Sequence, residues 1–223
     1  MPDESNRRRF ARYLIHLPLL HKPKVPAPIK AGVGWTRNLS DGGTCVDLTE
    51  RLQPGTTLRV RLQTDRGPIE VEAQVVWAGE PGAPGEAVPH GIVFDQVAPD
   101  EEKTLRDLLL SRGEKRHAGV RLPLDIPVTC QPKDQDGPSV EGRTGNMSRG
   151  GMLLRLSEAI PPQTVLKLTL HTPQGPVTAE GEIVWVDPPE RRTPGEPIAH
   201  GLRFTVLGWS TSLSLGLYLV EPE

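Results

Sequence analysis

Residues 57–64, TLRVRLQT, alternate Leu58, Val60 and Leu62 with Arg59 and Arg61. An apolar side chain at every second position predicts a strand with one buried face. The next four residues, DRGP (65–68), read as a turn, and IEVEAQVVWAG (69–79) as the returning strand. The same order recurs in VLKLTLHT (165–172), PQGP (173–176) and VTAEGEIVWV (177–186). Trp77 and Trp185 share one strand position, where core packing is expected. Several short strands joined by turns predict a mainly β protein built on a small closed barrel, because closure leaves no unpaired edge.

The recurrence is an internal duplication. Residues 38–79 align without a gap on residues 146–187, with 16 identities in 42 positions. HGIVF (90–94) answers HGLRF (200–204), and RYLIHLPL (12–19) answers RLPLDIPV (121–128). Two copies of one domain of about 108 residues follow, with expected bounds 1–113 and 114–223. Between them, residues 98–116 predict a connector helix. Asp100 is expected to cap it, Glu101 and Glu102 suit its first turn, and Leu105, Leu108 and Leu109 form an apolar stripe. The equivalent stretch after the second copy, GWSTSLSLGLYLVEPE, leaves helix and strand both open.

Composition narrows the function classes. The 26 Lys and Arg against 28 Asp and Glu, with 4% aromatics, argue against a nucleic-acid polymer, which requires a basic, aromatic-bearing face. The 23 glycines and 24 prolines fit many turns. Cys45 and Cys130 are too few for a disulfide framework and read as small buried apolar residues. No run approaches the ~20 apolar residues of a membrane span, so a soluble cytoplasmic protein is expected. The histidines lie in no metal-ligand spacing, and His90 and His200, in matched HG pairs, are expected to be structural. Neither a nucleophile elbow nor a phosphate-cradling loop occurs, so no catalysis and no cofactor are expected.

Two polar turns stand 108 residues apart: NLSDGG (38–43) and NMSRGG (146–151). Upstream of the first lies RRRFAR, with Arg8 and Arg12 four residues apart. An R-x-x-x-R segment ahead of a barrel whose early strand ends in [D/N]-x-S-x-x-G resembles the PilZ domain family, bacterial receptors for the second messenger cyclic di-GMP. The resemblance covers nearly the whole chain, once per copy, and implies two tandem six-stranded barrels joined by a short helix. It implies a cyclic di-GMP site at Arg8, Arg12, Asn38, Ser40 and Gly43. The chemistry suits these residue types: guanidinium pairs with a phosphate or with a guanine edge and stacks on a base. Asn38 and Ser40 would meet a guanine edge or ribose, and the glycines would let the backbone approach the ligand. Arg7, Arg9 and Arg37 are either auxiliaries to phosphate and base or ordinary surface charge.

The second copy departs from the family pattern. Arg121 aligns with Arg12, but His117 stands four residues before it and Arg116 five. With the turn residues Asn146, Ser148 and Gly151, these form a candidate second site, weaker than the first by the spacing of its arginines. The resemblance implies a receptor that signals through an unidentified protein partner, the oligomeric state being open. The alternative is a degenerate PilZ adaptor that binds protein and no nucleotide.

Overall fold

The two repeats form two antiparallel barrels of six strands each in the computed structural model, which describes residues 10–24, 31–83, 85–113, 120–133 and 138–220. The first runs β1 (Pro18–Pro23), β2 (Gly32–Ser40), β3 (Gly43–Leu48), β4 (Thr57–Thr64), β5 (Gly67–Ala78) and β6 (Val88–Val97). Its strand order is β1-β2-β3-β6-β5-β4, and β4 closes on β1. Helix α1 (Pro99–Gly113) follows and packs against β5. The second repeat opens with a two-residue strand, β7 (Leu122–Pro123), beside its barrel. The barrel comprises β8 (Pro127–Pro132), β9 (Val140–Ser148), β10 (Gly151–Leu156), β11 (Val165–Thr172), β12 (Gly175–Val186) and β13 (Ile198–Val206). Helix α2 (Trp209–Val220) packs against β12 and resolves the ambiguous tail as helix. The chain divides into the units Met1–Gly119 and Val120–Glu223.

Alternation decides the interior. Leu58, Val60 and Leu62 of β4 face inward with Ile69, Val71, Ala73 and Val75 of β5, all essentially inaccessible. Strict alternation would carry Trp77 inward as well. Instead the β5–β6 register shifts between Val75 and Trp77, and the β12–β13 register shifts between Ile183 and Trp185. A bulge re-aims every side chain beyond it. Trp77 and Trp185 therefore lie outside, 42% and 41% exposed, contrary to the expected core packing. Each indole covers a glycine on the next strand: a Cβ on Gly91 or Gly201 would come within 1.9 Å of the indole nitrogen.

The matched histidines are structural, as expected. His90 Nδ1 donates to the Val88 carbonyl at 2.9 Å, and its Nε2 accepts from Leu52 N–H at 2.9 Å. His200 repeats this with Ile198 at 2.9 Å and Ile160 N–H at 3.0 Å. A carbonyl partner and an amide partner require the neutral imidazole, so each ring pins the loop after β3 or β10. Cys45 and Cys130 are free and buried, and burial pushes the Cys130 thiol up to about 12. Leu105, Leu108 and Leu109 are buried, as the stripe predicts. Asp100 does not cap α1, however. The helix begins at Pro99, whose fixed φ and missing N–H suit a first helical position, and Glu102 N–H reaches back to the Ala98 carbonyl at 2.8 Å.

One buried threonine per barrel ties the incoming chain to the sheet. Thr36 Oγ1 donates to the Ile15 carbonyl at 2.6 Å and accepts from Leu17 N–H at 2.8 Å, while Thr36 N–H donates to the Leu17 carbonyl at 2.9 Å. Thr144 does the same with Leu124 at 2.5 Å and Ile126 at 3.0 Å for both bonds. The segments ahead of the barrels are thereby held in one register, which places Arg12 and Arg121 at equivalent points.

The loop before β4 turns at Gly55, φ 89°, with its N–H on the Val75 carbonyl at 2.7 Å. The second copy makes the same turn with Gln163 at φ 70°, bonded to the Ile183 carbonyl at 2.7 Å. A left-handed residue with a Cβ costs about 1–2 kcal/mol. Gln163→Gly is expected to stabilise the chain by about 1 kcal/mol after the added freedom of the unfolded glycine is counted, read as a raised urea midpoint at constant m; an unchanged or lowered midpoint would contradict this.

Buried His21 has its pKa lowered to about 4, first by desolvation and then by neighbouring His90. Its Nδ1 has no hydrogen-bond partner among the described residues. The unfolded chain, with an ordinary value of 6.5, binds the proton first. His21 thus leaves stability intact above pH 6.5, and about 3 kcal/mol is lost as pH falls to about 4. Denaturant titrations across that window should show a shallower fall for His21→Leu than for wild type; parallel curves would refute it.

Candidate ligand site at the repeated turns

Both polar turns are two-residue hairpin loops, Asp41–Gly42 between β2 and β3 and Arg149–Gly150 between β9 and β10. The serines are consumed in building them. Ser40, 4% exposed, donates its hydroxyl to the Gly43 carbonyl at 2.8 Å, and Ser148 donates to the Gly151 carbonyl at 3.4 Å. The last glycine of each turn answers to the sheet. A Cβ on Gly43 would stand 2.3 Å from the Ile92 carbonyl oxygen, and one on Gly151 would stand 2.1 Å from that of Leu202. The missing side chains of these glycines admit the neighbouring strand. Gly42 lies under the half-exposed Phe10 ring, 2.6 Å from where its Cβ would be, whereas Gly150 faces open space.

The remaining groups cluster at a bulge one turn back. The β2–β3 register slips at Arg37, between Thr36 and Asn38, and the β9–β10 register slips at Gly145. Asn38 Oδ1 accepts from Cys45 N–H at 3.2 Å. Asn146 Oδ1 instead accepts from Arg121 Nη1 at 3.2 Å. Arg121 immediately precedes β7, whose Leu122 pairs with Met147. Tyr13 bridges Leu39 in the same manner, so Arg12 occupies the equivalent place and is exposed. Burial pushes the Cys45 thiol up, Arg37 and Arg12 offset part of that rise, and Asp47 adds to it. Arg12 and Arg37 thus act on one spot beside Asn38. Arg7, Arg8, Arg9, Arg116 and His117 lie outside the described residues.

The electrostatics of the two copies are not alike. Arg37 Nε meets Oδ1 of Asp47 at 2.6 Å, and that carboxylate is 1% exposed. In the second copy, Gly145 replaces Arg37 and Arg155 replaces Asp47. Arg149 replaces Asp41, and Arg143 enters with Asp125, which it contacts at 2.6 Å. That bond holds the exposed Asp125 carboxyl below its usual range. Among the described residues, Arg12 and Arg37 stand with Asp41 and Asp47 around the first bulge and turn, and Arg121, Arg143, Arg149 and Arg155 stand with Asp125 around the second. Arg149 and Arg155 were not among the sequence candidates, although the ungapped alignment places both opposite aspartates.

Among the described residues no group of three His, Cys, Asp or Glu could hold a metal, and no helix is long and apolar enough to cross a membrane. The described site is a set of guanidinium groups and asparagine amides beside a two-residue hairpin, chemistry suited to an anion with hydrogen-bonding edges.

The chain superposes on the PilZ domain of YcgR from Escherichia coli, solved with c-di-GMP, at 19% identity and TM-score 0.40, covering 49% of this chain and 93% of that one. Borreliella burgdorferi PlzA, in complex with c-di-GMP, matches at 13% identity and TM-score 0.40, covering 91% and 88%. The K. pneumonia MrkH–c-di-GMP complex matches at 13% identity and TM-score 0.37, covering 93% and 90%. No curated protein matches the chain. The family model of the PilZ domain matches twice, at residues 6–111 and 112–210, and the chain belongs to the PilZ domain family.

Proposed function

We propose that the chain is a cyclic di-GMP receptor that passes its signal to a protein partner, binding where the segment ahead of each barrel meets the repeated turn. The observation that carries this reading is the placement of Arg12 and Arg121 beside Asn38 and Asn146 in two domains of the PilZ family. The ligand class suits the donors: each phosphodiester takes paired guanidinium bonds, and each guanine presents an O6/N7 edge and a flat face. The first barrel is the primary site, because Arg8 and Arg12 carry the four-residue spacing of the family motif. Asn38 supplies an amide for a guanine edge. Ser40 and Gly43 hold the hairpin rather than touch the ligand, which makes them positioning residues.

An adaptor that binds protein without nucleotide is the second reading. It is favoured by the internal roles of Ser40 and Gly43, which would keep the turn motif in place whether or not a ligand is bound. The two readings part on Arg8→Ala and Arg12→Ala, which the adaptor tolerates without change in partner capture and which the receptor does not.

Calorimetric titration of the whole chain with cyclic di-GMP tests the proposal. Wild type is expected to bind at micromolar concentration or tighter. Arg12→Ala should weaken binding about 10- to 100-fold, the loss of a charge-assisted contact worth about 1.5–3 kcal/mol. Absence of binding by wild type at micromolar protein sinks the receptor reading.

A further inference from the structure

We propose that the second barrel has an anion site of its own, in which Arg155 and Arg121 flank the Gly145–Asn146 bulge and grip a phosphodiester of the ligand. The inference rests on the nucleotide reading of the turns and assigns Arg155, a residue outside both family motifs, to the second of them.

The argument starts from an exchange of partners. In the first barrel the bulge residue is Arg37, and its charge is met by the buried carboxylate of Asp47 at 2.6 Å. In the second barrel the bulge residue is Gly145 and the cross-strand position holds Arg155. The guanidinium is kept while its carboxylate is lost. With no side chain on the bulge, Leu153 and Arg155 lie over it: a Cβ on Gly145 would stand 2.8 Å from Leu153 Cδ2 and 3.3 Å from Arg155 Cζ. Arg121 approaches the same bulge from the segment ahead of the barrel, with Nη1 3.2 Å from Asn146 Oδ1. One guanidinium group thus lies over Gly145 and the other meets the side chain of the next residue, Asn146, and both arginines are exposed to solvent.

Nothing among the described residues neutralises the pair. Arg143 is the register partner of Arg155, and like charges across a strand pair repel. Asp125 is the nearby carboxylate whose field reaches Arg155, but its Oδ1 is taken by Arg143 Nε at 2.6 Å and its carbonyl by Arg143 Nη2 at 3.1 Å. Positive charge assembled without a fixed counter-charge attracts an anion, and guanidinium pairs bidentately with phosphate oxygens. Arg155 would thereby compensate for the histidine that stands at the upstream arginine position, His117.

The test isolates the second site in the full-length chain by combining Arg8→Ala with Arg12→Ala. This background is expected to keep one class of cyclic di-GMP site by calorimetry. Adding Arg155→Ala should weaken that site tenfold or more, and Arg155→Lys should restore part of the loss. The salt slope should also be shallower for the Arg155→Ala chain than for the background, because screening acts on a charge pair that only the background keeps. Thermal unfolding of each variant confirms that the exposed substitutions leave the fold intact. Binding that disappears in the background overturns the second site and leaves the receptor reading standing. Equal affinity and salt slope with and without Arg155 overturn its role, while absence of binding by wild type overturns the receptor reading and this inference together.

Discussion

Each barrel depends on one buried hydroxyl. Thr36 and Thr144 bind the chain entering their barrels through a donor, an acceptor and a backbone bond, all out of solvent. A buried hydroxyl without partners costs on the order of 1–3 kcal/mol, so the bonds are specified as strictly as a core contact. Their effect is to fix where the incoming segment lies. Arg12 follows from Ile15 and Leu17, as Arg121 follows from Leu124 and Ile126, by a constant number of residues.

That constraint separates frame from chemistry within a single short motif. The serine and last glycine of each turn are explained by the hairpin and by the neighbouring strand. The asparagine of each turn and the arginine ahead of each barrel lie beside the bulge, and their contacts are where the two copies diverge. Asn38 satisfies the Cys45 amide, whereas Asn146 holds a guanidinium. A buried aspartate neutralises the first bulge, and an arginine charges the second. One frame thus carries two electrostatic surfaces, and their difference includes the exchanges of Arg37 for Gly145, Asp47 for Arg155 and Asp41 for Arg149.

Much of the frame was legible in the sequence because its causes are local. Alternation in 57–64 and 165–172 marked β4 and β11 to the residue, and the duplication set the number of domains. The outward tryptophans were not legible, since a bulge adds one residue to a strand without breaking its apolar pattern. The start of α1 at Pro99 was missed because Asp100 resembles a cap equally well. The site was legible only in part. Arg12, Arg121 and both asparagines are candidates by motif, whereas the placement of Arg155 across from the second bulge and the Arg37–Asp47 ion pair depend on cross-strand register, which turns and bulges determine together. Arg37 and Asp47 are ten residues apart in the chain, and no short motif spans them.

The threonine clamp carries a consequence for descent. Apart from the hydroxyl, every partner in it is a main-chain atom, which substitution cannot remove. After the duplication, the stretches that became Ala11–Leu17 and Val120–Ile126 could drift in side chain while keeping their place on the barrel. A polypeptide held by its backbone is a neutral substrate for divergence, and two barrels of different surface charge can emerge from it without either losing its shape.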